Sequence, residues 1–279
     1  MVKGRNCVDV VQVLWSETRR NSVSLKKTKV QRAIPKHWIV EGGRNTYGKA
    51  LGIMVLDTRF DRLPGDVANA STYSYPVTFR TIKGATAQKV IEEGGAGLVP
   101  LFARAAKDLE REGVRAITTS CGFLALHQKE LAASIKIPLF TSSLIQIPIV
   151  HAMLGGKSKV GVLTANASSL TDKHLRAVGI QQDVPLVIVG LEKKHHLARW
   201  LWGSKHPLDA GKVEQEVIES AQEIVRRDKN VKALVLECTN LPPFSHSVQE
   251  ATRLPVFDII TLADMIYHGV TRHRFGGFL

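Results

Sequence analysis

No apolar run in this 279-residue chain reaches the eighteen or so residues that a membrane-crossing helix needs. Its first residues, Met1-Val2-Lys3-Gly4-Arg5-Asn6-Cys7, show no apolar core followed by a small-residue cleavage site. Both absences argue against a membrane partner and for an intracellular, cytoplasmic location. Cysteine is scarce, with three in all. Cys7, Cys121 and Cys238 have none of the CxxC spacing of a zinc site, and an odd count at wide spacing does not make a disulfide framework, so the thiols are expected reduced and available. Gly94-Gly95-Ala96-Gly97 is not GxGxxG after a strand, which argues against a dinucleotide site. His195-His196 lacks a carboxylate or Cys at ligand spacing, so no metal is expected there.

Acid is also in deficit. Against 38 Lys and Arg stand 25 Asp and Glu, a net charge of +13 that invites a nucleic-acid reading. Its distribution opposes that reading. Residues 1–46 hold ten Lys or Arg against Asp9, Glu17 and Glu41, or +7, leaving +6 for the other 233 residues. A flexible basic extension is the simplest account of 1–46, with a targeting peptide or an arm for an acidic partner as the other readings. No nucleic-acid partner is expected.

What is present is alternation. Hydrophobic residues make up 44% of the chain, enough for full cores. β-prone runs at 51–56, 114–119, 138–141, 159–164, 185–190, 231–236 and 255–259 alternate with helical periodicity at 98–112, 124–135, 170–178, 208–227, 245–252 and 262–270. Most of the β-prone runs are continuously apolar, as in strands covered on both faces. The fold class is α/β, with two similar parallel-sheet halves related by a pseudo-two-fold axis and a cleft between them. The halves are expected at 47–156 and 157–265, with 266–279 crossing back to the first. Residues 57–84 break the alternation and read as a long loop, either a lid over a site or a surface connection.

Two cysteines stand in matching surroundings. Cys121 follows Val114-Arg115-Ala116-Ile117-Thr118-Thr119-Ser120, and Cys238 follows Val231-Lys232-Ala233-Leu234-Val235-Leu236-Glu237. Each is followed by a helix-like stretch, and each lies seventeen residues before a proline, Pro138 or Pro255. Such repetition places both thiols at strand exits and helix starts, where a thiolate is favoured. Two thiols across a cleft, one deprotonated and one protonated, have the parts for removing a proton from one face of a carbon and returning one to the other. Residue-type statistics alone read them as small buried hydrophobes.

At these residues the chain resembles the aspartate/glutamate racemase superfamily, the cofactor-independent two-cysteine group that includes hydantoin racemases, maleate isomerases and arylmalonate decarboxylases. The resemblance covers about 50–270. Its carriers are Thr118-Thr119-Ser120-Cys121-Gly122-Phe123, Val160-Gly161-Val162-Leu163-Thr164-Ala165-Asn166-Ala167-Ser168-Ser169 and Leu236-Glu237-Cys238-Thr239-Asn240. It implies Cys121 and Cys238 as the catalytic pair. Thr164, Asn166 and Ser168, with backbone donors around Gly122 and Thr239, are implied as the holders of a substrate carboxylate or enolate oxygen. Asp57 and Thr58 resemble the Asp-Ser that opens the glutamate racemase pattern, and Ser120, Phe123 and Asn240 complete the implied substrate contacts. No metal, pyridoxal or other cofactor is required. The pattern is departed from at Gly122-Phe123, where the amino-acid racemases have Asn-Thr, and at Asn240, where they have His or Glu. A small residue and an aromatic after the first thiol point to a flatter or more apolar ligand. The expected function is racemisation or isomerisation of a small carboxylate or carbonyl compound, such as an amino acid or hydantoin. Maleate-type cis-trans isomerisation by cysteine addition, or binding of a small acid without turnover, are the alternatives. A homo-oligomer, in the first instance a dimer, is the default expectation.

Overall fold

Runs such as Leu51–Leu56 and Val231–Leu236 carry almost no charge, and a strand of that kind is stable only with both faces covered. A computed structural model describes residues 42–201 and 207–276, so most of the basic segment 1–46, with Cys7, and also Trp202 lie outside the described residues. Arg44 onward forms a single compact unit. Among the described residues the strands are β1 (Leu51–Leu56), β2 (Val77–Ile82), β3 (Ala116–Thr119), β4 (Leu139–Phe140), β5 (Lys159–Thr164), β6 (Leu186–Gly190), β7 (Val231–Leu236) and β8 (Val256–Phe257). The helices are α1 (Ala87–Ile91), α2 (Val99–Glu112), α3 (Gln128–Ala133), α4 (Ile147–Met153), α5 (Asp172–Ala177), α6 (His195–Leu201), α7 (Ala210–Arg227), α8 (Ser245–Thr252) and α9 (Ile259–Val270).

They form two four-stranded parallel sheets of the same order, β2-β1-β3-β4 and β6-β5-β7-β8. All pairings are parallel, and the central strands β1, β3, β5 and β7 are nearly wholly buried. The expected α/β fold with two similar parallel-sheet halves is the one observed. Two helices change sides. Ile147 and Val150 of α4 join a core with Val160 and Val162 of β5, while Ile259, Leu262 and Ala263 of α9 pack with Leu51 and Ile53 of β1. α7 buries Val213, Val217, Ala221 and Ile224, spaced by threes and fours, against Leu163, Leu234 and Leu236.

The sequence reading of 57–84 as one long loop needs correction at its end. Val77–Ile82 is strand β2, paired along its length with β1. It was hidden because an edge strand is only partly covered, and Val77-Thr78-Phe79-Arg80-Thr81-Ile82 alternates rather than running apolar. The stretch after Cys121 also differs from its expectation of a helix over 124–135. Gly122–His127 is a 3₁₀ turn and only Gln128–Ala133 is α-helical.

Candidate active site

The strand exits of the two sheets meet. Thr239 Oγ1 donates to the Ser120 carbonyl at 2.8 Å, and Ser143 Oγ donates to the Leu236 carbonyl at 2.7 Å. Between the exits lies a narrow cleft, partly open to solvent. Cys121 and Cys238 both line it, and both are free and buried. Of the other residues implied by the resemblance, Thr58, Ser120, Gly122, Phe123, Thr239 and Asn240 line the same cleft. Ser120 is also structural, since its Oγ accepts from Leu56 N at 2.9 Å. Phe123 is backed edge-on by His174 with ring centroids 5.5 Å apart.

Four implied contacts are not among the lining residues. Asp57 accepts from Gly84 N at 3.1 Å on an exposed turn. Ser168 Oγ donates to Asn166 Oδ1 at 2.7 Å and Ser169 N to the same oxygen at 3.1 Å, so these side chains close their own turn. Thr164 is fully buried and donates to Glu237 Oε2 at 2.7 Å. None of these caps α5, whose capping box is Thr171 with His174.

Several cleft residues are not among the contacts that the resemblance implies. The segment following β1 supplies Phe60 and Arg62, and the exit of β7 supplies Glu237. Arg62 Nη1 donates to Asp66 Oδ1 at 3.1 Å and Nη2 to Thr58 Oγ1 at 2.8 Å, with the guanidinium 4.1 Å from the Phe60 ring centroid. Asp66 is wholly buried and also accepts from Asn240 Nδ2 at 2.7 Å, while Asn240 Oδ1 receives the Cys238 thiol at 3.7 Å. A chain of polar contacts therefore runs from Thr58 through Arg62, Asp66 and Asn240 to Cys238. Trp200 holds the segment from behind, donating Nε1 to the Asp61 carbonyl at 2.9 Å and meeting Phe60 edge-on. The remaining walls are apolar, from Leu56, Ile91, Leu191 and Leu197, with Glu192 exposed at the rim.

Burial dominates the electrostatics. It pushes the Cys121 thiol up to about 12, with the Glu237 charge adding to the rise; the Phe123 and Leu124 N–H groups and the Arg62 charge oppose it. Burial and then Glu237 push Cys238 well above the usual thiol range, opposed by the Asn240 N–H. Burial also raises Glu237 to about 7 against the stabilising Thr164 hydroxyl and Ala165 N–H. The same effect raises Asp66, opposed chiefly by Arg62. A group near neutrality beside two thiols is suited to moving protons at physiological pH.

Solved structures share this two-sheet parallel α/β fold. A single-site mutant of arylmalonate decarboxylase superposes with TM-score 0.52 at 13% identity, over 81% of this chain and 97% of that one. A glutamate racemase of Bacillus anthracis gives 0.51 at 14%, over 81% and 85%. At such identities the likeness is one of fold alone. No family model matches the chain. Among curated proteins, a dimethylsulfoniopropionate lyase of Durusdinium sp. clade D is 34% identical over 235 residues, covering 81% of this chain and 77% of that protein. Dimethylsulfoniopropionate lyase 3 of Emiliania huxleyi is 32% identical over 243 residues, 81% of this chain and 61% of the longer relative. The chain belongs to the dimethylsulfoniopropionate lyase family. The expected racemase or isomerase activity is thereby corrected, because the relatives that share sequence, and not merely fold, are named lyases. Among the described residues no helix is long and apolar enough to cross a membrane.

Proposed function

We propose that this chain is a lyase that removes a proton from the carbon next to the carboxylate of dimethylsulfoniopropionate and expels dimethyl sulfide, leaving acrylate. The observation that carries the reading is the pair of buried thiols in one apolar cleft with Arg62, in a chain of this family. The bonds balance simply. The base takes the α-hydrogen, the C–H electrons become the new C=C bond, and the C–S electrons leave on sulfur, which goes from sulfonium to neutral sulfide.

Cys121 is the better base. Its sulfur faces two backbone N–H groups and the Arg62 charge, whereas Cys238 has one N–H and is held as a donor to Asn240. The ligand-free thiol is protonated at neutral pH, and an arriving sulfonium cation offsets the negative charge of Glu237 that helps hold it so. Arg62 still has donors beyond those given to Asp66 and Thr58, and these suit the substrate carboxylate and the charge that grows on it as the α-proton leaves. The dimethylsulfonium group suits the Phe60 and Phe123 rings and the carboxylates of Glu237 and Glu192.

The test is acrylate by liquid chromatography and dimethyl sulfide in the headspace, from purified protein and dimethylsulfoniopropionate. Cys121→Ser is expected to lower turnover by about 10²- to 10⁴-fold, the range of general-base losses. Wild-type protein that releases neither product would overturn the reading.

A further inference from the structure

A racemase recovers its proton balance within each turnover, since one thiol takes a proton and the other gives one. An elimination does not: each turnover leaves one proton on the base. Here the base would be buried and, once protonated, held so by its surroundings. Resting on the lyase reading, we propose that Glu237 is the outlet for that proton, accepting it from the Cys121 thiol on its free carboxylate oxygen and releasing it to the cleft.

The geometry carries this. Glu237 is fully buried at the exit of β7, immediately before Cys238, and lines the cleft with both thiols. Its two oxygens are treated differently. Oε2 is held by the Thr164 hydroxyl at 2.7 Å, whereas Oε1 is buried without a hydrogen-bond partner. That free oxygen is turned toward the first half: a β-carbon built on Gly122, next to Cys121, would lie 2.1 Å from it. An unpartnered carboxylate oxygen in such a place is costly unless a proton visits it. The titratable and charged groups that share the cleft with it are Cys121 from the β3 exit, its neighbour Cys238, Arg62 from the segment after β1 and Glu192 at the rim, with Asp66 behind Arg62 and acting on Cys238. Its resting value of about 7 lets it take a proton and lose it again near neutrality. The steps balance: thiol and carboxylate become thiolate and carboxylic acid, and the acid then loses the proton to water, restoring the base.

Two variants test it. Glu237→Gln keeps the shape and an acceptor for Thr164 but cannot carry the proton. Thr164→Val removes the hydrogen bond that favours the ionised carboxylate. Acrylate formation by Glu237→Gln is expected to fall about 100-fold, the lower end of general acid–base contributions, and to recover in part as imidazole buffer is raised. Separately, without substrate, alkylation of Cys121 and Cys238 by iodoacetamide is followed from pH 5 to 9 by peptide mass spectrometry. A reactivity step near neutrality is expected in wild type, absent in Glu237→Gln and moved to higher pH in Thr164→Val. Glu237→Gln that keeps turnover within twofold, or an alkylation profile unchanged by both substitutions, would overturn the outlet. Wild type that makes no acrylate would instead sink the lyase reading, and the alkylation profiles would still decide the role of Glu237.

Discussion

Gly122 has no side chain because Glu237 occupies the place where one would be. A β-carbon there would lie 2.4 Å from the Glu237 carbonyl oxygen as well as 2.1 Å from Oε1, and a backbone atom cannot swing aside. In the sequence the same glycine reads as room for a flat ligand; in the structure the room is filled by the other half of the molecule. Gly122→Ala is therefore expected to destabilise the fold by about 1–3 kcal/mol, the range for overpacking, measurable as a lowered urea midpoint. The thiols were legible because each is embedded in a repeated strand-Cys-Pro pattern. Glu237 was not, since its only signal is one acid closing a strand that is apolar apart from Lys232, and such a residue reads as a strand end. Its burial makes a second prediction. An unfolded glutamate ionises near 4.5, whereas in the fold Glu237 keeps its proton to about 7. Between those values the folded state holds a proton that the unfolded state has lost, so stability falls as pH rises through that window. Glu237→Gln removes this penalty. Its stability gain over wild type should be absent below pH 4.5, open through the window and level off above 7, at up to about 3 kcal/mol. Thermal melts across pH 4 to 8 check it, and a gain independent of pH would contradict the burial account.

The segment between β1 and β2 shows what a charged, Pro- and Gly-punctuated stretch achieves once folded. Its sequence reads equally as a lid or as a surface connection, and its first part contributes Thr58, Phe60 and Arg62 to the cleft. Gly65 is needed twice over, with φ of 98° and the Pro243 Cα only 2.8 Å from where a β-carbon would stand. No sequence pattern announces that meeting, because Gly65 and Pro243 lie in different halves. Asp66 ties the segment down, accepting from Arg62, Asn240 and its own turn at Ala68 N. Asp66→Ala would leave the mostly covered Arg62 without its anion and Asn240 without its acceptor. Loss of one partner of a buried ion pair costs roughly 3–5 kcal/mol; Arg62 retains some exposure, so the lower end is expected. Urea unfolding measures it. A loss under about 1 kcal/mol, typical of surface pairs, would mean that the segment is held by Trp200 and Phe60 instead.

At the scale of the whole molecule, two sheets of one order bring two thiols to one cleft, and that much follows from the alternation and repetition in the sequence. In the proposed lyase reading those features supply the base for a proton leaving a carbon next to a carboxylate. They do not specify what the resulting electron pair does, which depends on whether the substrate bears a leaving group one carbon further on. The expectation of racemisation went wrong at this step. If the site makes the carbanion, it should do so even when the second half of the reaction is blocked. The compound 3-(trimethylammonio)propionate keeps the carboxylate, the spacing and the onium charge, but an amine leaves far more reluctantly than a sulfide. In D₂O the protein is expected to exchange its α-hydrogens for deuterium, seen as loss of the α-proton signal in NMR, with little acrylate formed. Cys121→Ser should abolish the exchange. Brisk release of dimethyl sulfide from the natural sulfonium with no exchange in the ammonium analogue, although the analogue competes for the site, would mean that proton removal and C–S cleavage are inseparable. The cleft would then be matched to the concerted transition state of elimination, in which full charge never accumulates on the carboxylate.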